Sequence, residues 1–352
     1  MTAELSARAA ALAPPHAHGK PGTQAELRVV PEDFRVEEDL GFEPAGSGAH
    51  LLLQVRKVNA NTQWVARELA RLAGCHVAEV GYAGIKDRRA VAVQWFSVPR
   101  PRVAREWRAL QEPEFSVLAA HPHSRKLPRG ALAGNRFVIR LRAPAGTGAE
   151  LGAALAARLE LIGREGVPNY FGPQRFGRDG ANLARIGADL KRLKAPERGF
   201  VLSAARAVIF NAVLAARVAG ASWQRLLPGD LANLDGRGSI FAVEQPDATL
   251  ERRCRELEIH PSGPLWGAGA PQAQGEVGEL EARIAGAYPA ECRACTEAGM
   301  RPERRSLRLA VRELRVEAEP QALLLHFRLT RGSFATAVLR ELVASAAELP
   351  EA

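Results

Sequence analysis

The 352 residues suffice for a sizeable core and two domains, and 48 Lys and Arg against 39 Asp and Glu give a formal charge of +9 with an isoelectric point near 9.9. That excess suits a polyanionic partner, nucleic acid above all, and competes with the plainer reading of a basic surface without a ligand. No run reaches the ~18 apolar residues of a membrane span and the N-terminus lacks an apolar signal core, so a soluble cytoplasmic protein is expected.

Residues 1–24, rich in Ala, Pro and Gly, read as a mobile leader. AELRVVPEDFRVEEDL alternates as a strand interrupted by Pro31, with Phe34 as a half-buried aromatic. His50 to Lys57 reads as a buried strand. Asn61-Thr62 caps a helix running to about Leu72, with Val65, Leu69 and Leu72 on one face and Gly74 at its end. HVAEV reads as a short strand. GYAGIKDRRAVAVQWFS (81–97) then delivers Asp87 on a glycine-punctuated turn ahead of a strand, among Lys86, Arg88 and Arg89. Those cations favour the ionised carboxylate, which suits a nucleophile acting on a polyanion; by composition alone it is also what a solvated turn looks like.

Arg125, Lys126 and Arg129 form a basic loop suited to phosphate contacts, with His121 and His123 as loop residues beside it, and a strand follows in which Phe137, Ile139 and Leu141 alternate with polar neighbours. Gly148 to Arg164 reads as a helix ended by Gly166-Val167-Pro168, where a domain boundary is expected. In VPNYFGPQRFGRDG, Asn169, Arg175 and Arg178 could hold RNA backbone while Tyr170, Phe171 and Phe176 anchor the loop. ANLARIGADLKRL and FVLSAARAVIFNAVLAARVA read as helices, GRGSIFAVE as a strand, and TLERRCRELEI and GELEARIAGAY as helices. GPLWGAGAPQ is a loop with neither a P-loop nor a dinucleotide fingerprint. RSLRLAVRELRVEAE and ALLLHFRLT form a hairpin across a Pro-Gln turn, and GSFATAVLRELVASAAEL closes the chain as a helix. Of Cys75, Cys254, Cys292 and Cys295, only Cys292-Arg-Ala-Cys295 has metal-like spacing and it lacks a second ligand pair, so free thiols and no metal are expected.

GYAGIKDRRAVAVQWFS resembles the signature of the TruD family, the tRNA pseudouridine synthases that act on the uridine at tRNA position 13. PEDFRVEEDLGFEPAGSGAHLLLQVRK, RKLPRGALAGNRFVIRLR, VPNYFGPQRFGRDGANL, LSAARAVIFN, GDLANLDGRGSIF and GSFATAVLREL resemble further blocks of that family, in its order, from about Gly19 to Ala346. The resemblance implies an α+β fold with a mixed, largely antiparallel sheet flanked by helices. It also implies a discontinuous catalytic domain, 25–165 plus 305–352, around an inserted α/β domain, 166–304. It makes Asp87 the catalytic nucleophile and places Phe34, Asn135, Phe137 and Phe334 near the target base. Arg28, where the family often carries Lys, would pair with Asp87. Lys86, Arg88, Arg125, Lys126, Arg129, Arg175 and Arg178 would contact RNA. The partner would be tRNA, with no cofactor, no membrane and no obligate protein partner. A non-catalytic RNA-binding module would share the charge and the aromatics, and another RNA-modifying enzyme such as a methyltransferase would need a nucleotide-cofactor loop that is not found.

Overall fold

A computed structural model describes residues 8, 10–101, 105–187 and 190–344. Within these residues the chain forms two compact units. One comprises residues up to Gly22 with Arg158–Val311 and Ser333–Leu342; the other comprises Thr23–Ala157, Arg312–Gly332 and residues from Val343 on.

Period-two alternation becomes the sheet of the second unit. Its strands, numbered along the whole chain, are β1 (Phe34–Asp39), β2 (His50–Val58), β3 (Gly81–Tyr82), β4 (Val91–Pro99), β5 (Phe115–His123), β6 (Gly134–Arg142), β13 (Arg312–Glu319) and β14 (Ala322–Thr330). They order as β13-β14-β6-β1-β4-β2-β5, with β3 on β4. Only β1 and β4 run parallel; the other neighbours are antiparallel, giving the mixed, largely antiparallel sheet expected. Register sets Phe34 against Ile139, Val36 against Phe137 and Glu38 against Asn135. Helix α1 (Thr62–Ala73) starts where the Asn61 side chain accepts from the Gln63 amide and ends at Gly74, whose φ of +67° an L side chain would resist. Its Val65 and Leu69 pack with Leu53, Val55, Phe96 and Val117. At Gly81 a Cβ would come within 2.5 Å of both Ser97 Oγ and the Leu127 carbonyl, so β3 can lie here only as glycine.

The first unit holds a four-stranded sheet, β8 (Asp230–Leu234), β9 (Ile240–Val243), β10 (Ile259–Leu265) and β11 (Glu303–Ser306), in the order β11-β10-β8-β9, and a two-stranded pair, β7 (Val167–Pro168) with β12 (Arg308–Leu309). Helix α2 (Gly148–Glu165) crosses the division between the units. After it come α3 (Ala181–Ala184), α4 (Ala195–Ala219), α5 (Ala248–Arg255), α6 (Gly275–Ala285), α7 (Pro289–Glu297) and α8 (Ala335–Leu342). By length and composition α4 could cross a membrane, against the expectation that no such run exists. Two thirds of its apolar window is buried in the unit, Val201, Val208, Phe210 and Leu214 among it, as in a core helix.

Several local expectations are corrected. HVAEV is not a strand: the Glu79 carboxylate accepts from the His76 amide and His76 Nδ1 from the Ala78 amide, which closes a 3-10 turn. His121 and His123 belong to β5, where register on β2 sets them against Leu52 and His50. ANLARIGADLKRL yields a single α-helical turn, α3, and a 3-10 turn at Leu190–Arg192 rather than one helix, and residues 188 and 189 lie outside those described. Residues 1–7 and 9 of the expected leader also lie outside, but Ala11 is fully buried and Glu341 accepts from the amides of Ala17 and His18, so this stretch is packed. Arg308–Leu309 pairs with Val167–Pro168, and α8 groups with the first unit rather than with the large sheet.

Candidate active site

Asp87 lies on the loop between β3 and β4, and that loop is held by its backbone. Lys57 occupies an inward position of β2, continuing the face of Leu53 and Val55, and is fully buried. Its Nζ donates to the carbonyls of Asp87 (2.7 Å) and Ala60 (2.8 Å), with that of Lys86 at 3.4 Å. Burial pushes the Lys57 ammonium down to about 8, against the pull of the Asp87 and Glu38 carboxylates. Thr62 Oγ1 accepts from the Lys86 amide (3.1 Å) and donates to Gln94 Oε1 (3.1 Å), and Gln94 Nε2 donates to the Gly84 carbonyl (2.6 Å). A loop with so many satisfied backbone groups presents its one carboxylate in a fixed place.

Arg28 meets that carboxylate. Its guanidinium donates to Asp87 Oδ2 at 3.1 Å and lies 3.9 Å from the centroid of the Phe34 ring. The residue is 5% exposed, and burial pulls its pKa down while Asp87 opposes the shift. Arg28 has a φ of +54°, uncommon for a side chain of this size, so its arch must be imposed from outside. Arg142 ties down both ends. Its backbone exchanges two hydrogen bonds of 3.0 Å with Glu26, and its guanidinium donates to both oxygens of Asp33 at 2.9 and 2.8 Å. Asp33 in turn accepts from the Val30 amide (3.1 Å). Burial raises the Asp33 pKa, but the Arg142 hydrogen bonds, the Val30 amide and nearby Arg140 outweigh it and hold the acid below its ordinary range.

Phe34, expected half-buried, is 1% exposed and meets Phe137 edge to face at 5.9 Å; Phe137 stacks on Phe327 at 5.2 Å. Asn135 is buried, and its Oδ1 accepts no hydrogen bond among the described residues, leaving a dry acceptor free for an incoming donor. Arg28, Phe34, Asp87, Asn135 and Phe137 thus belong to one unit, with Asp87 about a quarter exposed. Phe334 belongs to the other unit, where its ring lies 5.9 Å from the Arg175 guanidinium.

The cations divide by exposure. Lys86, expected to contact RNA, has a 9% exposed side chain and forms an ion pair with the fully buried carboxylate of Glu38 at 2.8 Å, so it braces the loop instead. Arg88, Arg125, Lys126, Arg129 and Arg178 are exposed. Arg88 reaches the Asn59 carbonyl, and Arg129 lies over Tyr82 with its Cζ 3.7 Å from the ring centroid. Arg175 is half-buried and donates to Ser203 Oγ at 3.0 Å. Cys292 and Cys295 lie on α7, where burial pushes their thiols up to about 12 and about 11. Among the described residues no three of His, Cys, Asp and Glu gather as a metal site would require.

Sequence reasoning missed Lys57, Thr62, Gln94, Asp33 and Arg142. A lysine in the apolar register of β2 was the readable signal for the first; the rest depend on long-range pairing.

The sequence profile of the tRNA pseudouridine synthase D (TruD) family matches residues 14–197 and 189–342. A tRNA pseudouridine synthase D of Methylococcus capsulatus is 48% identical over 94% of this chain and 94% of its own length. One from Nitrosococcus oceani is 45% identical, covering 92% and 91%. The crystal structure of a Methanosarcina mazei protein assigned as TruD superposes with a TM-score of 0.72 over 93% of this chain and 95% of that one, at 22% identity, and so speaks for the fold.

Proposed function

Because the chain belongs to the tRNA pseudouridine synthase D family, we propose that it isomerises uridine to pseudouridine in tRNA, at position 13, with Asp87 as the nucleophile. The observation that carries the reading is the Arg28–Asp87 pair: a carboxylate about a quarter exposed, 3.1 Å from a buried guanidinium that lies over the Phe34 ring. The uridine must leave its stack to reach it, and flips out at the cost of a few kcal/mol, roughly, in unstacking. Phe34 and Phe137 offer aromatic faces to the uracil, and Asn135 Oδ1 an acceptor for its N–H. Asp87 bonds to the nucleoside, the C1′–N1 bond breaks, the uracil turns, and C1′ bonds to C5 as the bond to Asp87 is broken and the carboxylate is released. The C5 proton leaves and N1 gains one. Substrate and product contain the same atoms, so the reaction requires no group donor. Arg88, Arg125, Lys126, Arg129, Arg175 and Arg178 would hold phosphates, which position the strand without reading it. The same reading puts the protein with its tRNA in the cytoplasm.

Loss of the C5 proton gives a direct test. A tRNA transcript labelled with tritium at uracil C5 should release label to water on incubation with the protein, and a transcript with cytidine at position 13 should release none. Release unaffected by that replacement would move the target elsewhere; no release from either transcript would contradict the proposed activity.

A further inference from the structure

Beside the loop that carries Asp87 lies a concavity of about 660 Å³, bounded by α1, the 77–82 segment and the 126–129 loop. Asp87 does not line it. Its walls include the apolar surfaces of Leu127 and Pro128, and Arg67, Lys126 and Arg129 supply three cations with no carboxylate among the lining residues. Tyr82 forms part of the wall, with the Arg129 guanidinium carbon over its ring. Lys126 is drawn toward the cavity by its hydrogen bond to the Ala78 carbonyl (2.5 Å). Arg67 is exposed on the outer face of α1.

A volume of this size accommodates a small ligand. A ring with a guanidinium carbon 3.7 Å over its centroid makes a platform for a flat π face, and cations without a carboxylate favour an anion within reach of that platform. A nucleotide joins those two features in one molecule. Its base can stack only if it is unpaired, because paired bases keep their faces covered. Asp87 is five positions after Tyr82, so their Cα atoms are at most about 18 Å apart.

Resting on the function proposed above, we infer that this cavity receives one unpaired nucleotide of the substrate RNA near the target uridine, with its base on the Tyr82–Arg129 platform and its phosphate against Arg67 and Lys126. The site then adds affinity and register on the RNA, while the chemistry stays at Asp87. A single-stranded flank would bind here in preference to a duplex arm.

The test compares wild type with Arg67→Glu, Arg67→Lys and Tyr82→Leu. Binding of an unmodified tRNA transcript is measured across a salt series, together with tritium release from the C5-labelled transcript. Arg67→Glu should weaken binding at least tenfold and flatten the logarithmic salt slope by about one, with KM rising more than kcat falls, and Arg67→Lys should recover most of both. Tyr82→Leu should weaken binding of a short single-stranded oligonucleotide about five- to a hundredfold and leave duplex binding alone. Since Tyr82 also packs near Phe96, thermal midpoints are compared, and if Tyr82→Leu unfolds early the exposed Arg67 decides the matter. Arg67→Glu that binds the transcript like wild type at every salt concentration overturns the inference, as does a loss confined to duplex RNA. Wild type that binds RNA but releases no tritium overturns the proposed activity instead, and the binding arm still decides the cavity.

Discussion

Two side chains to which the sequence reading gave no role should matter as much as most of those to which it did. Lys57 reaches three carbonyls with three N–H bonds, and the neutral amine has only two. Activity should therefore fall above about pH 8, where the folded-state ammonium gives up its proton. Lys57→Met should lower turnover at least tenfold while tRNA affinity is kept; wild-type turnover in that variant would show that the loop holds itself. The stability consequence has the opposite sign. The folded pKa lies below the ordinary ~10.4 of the unfolded chain, so the cost of burying the charge is fully felt below about pH 8 and is relieved as pH rises toward 10.4. Urea unfolding at about pH 7.5 and pH 9.5 should register that gain in wild type and not in Lys57→Met. Asp33 works the other way. Its folded pKa is depressed, so its contribution is present above the unfolded value near 3.9 and is lost as pH falls below it. Asp33→Asn should cost about 1–3 kcal/mol at neutral pH, flatten the acid limb of stability, and lower activity by releasing the Arg28 arch. Unchanged activity in a folded Asp33→Asn protein would detach the arch from the chemistry.

Among the elements, the short β3 decides where the reactive loop begins. Gly81→Ala would push a Cβ into the Leu127 carbonyl and Ser97 Oγ, which cannot both yield. The expected result is a loss of roughly 1–3 kcal/mol in stability with a larger loss of activity, read by thermal melting and tritium release. A stable, active Gly81→Ala protein would mean that β3 can shift freely. The elements most legible in the sequence are those whose signals are local. Asn61 and Gly74 bracket α1, alternation marks β2, β4, β6, β13 and β14, and Gly166 with Pro168 ends α2. What local pattern missed was settled by distant or competing partners. His76 and Glu79 capped a turn inside an apolar run that otherwise suits a strand. The histidines of β5 became strand residues because β2 was there to pair with them. The grip of Arg142 on Asp33 spans 109 positions and leaves no periodic trace. Within the site, the resemblance supplied Asp87, Arg28, Phe34, Asn135 and Phe137, whereas burial was needed to see that Lys86 is spent on Glu38 and that Lys57 lies beneath the loop.

At the scale of the whole molecule, the charge of +9 acts through exposed side chains only. Each phosphate contact releases counterions, so neutralising Arg125 and Lys126 together should flatten the salt dependence of tRNA binding by about one to two in logarithmic slope. An unchanged slope would remove that loop from the RNA interface. The unit with the eight-stranded sheet carries Asp87, and the other unit carries Arg175 and Phe334. The sheet unit carries Asp87, the proposed nucleophile, and on it the proposed activity stands or falls. The decisive comparison is wild type beside Asp87→Asn on the same tritium-labelled, unmodified tRNA transcript, with binding measured in parallel. Wild type should convert the uridine at position 13, while Asp87→Asn binds the transcript with similar affinity and converts none. Turnover by Asp87→Asn would contradict the assignment of the nucleophile, and tight binding without turnover by wild type would leave a module that holds RNA and does no chemistry on it.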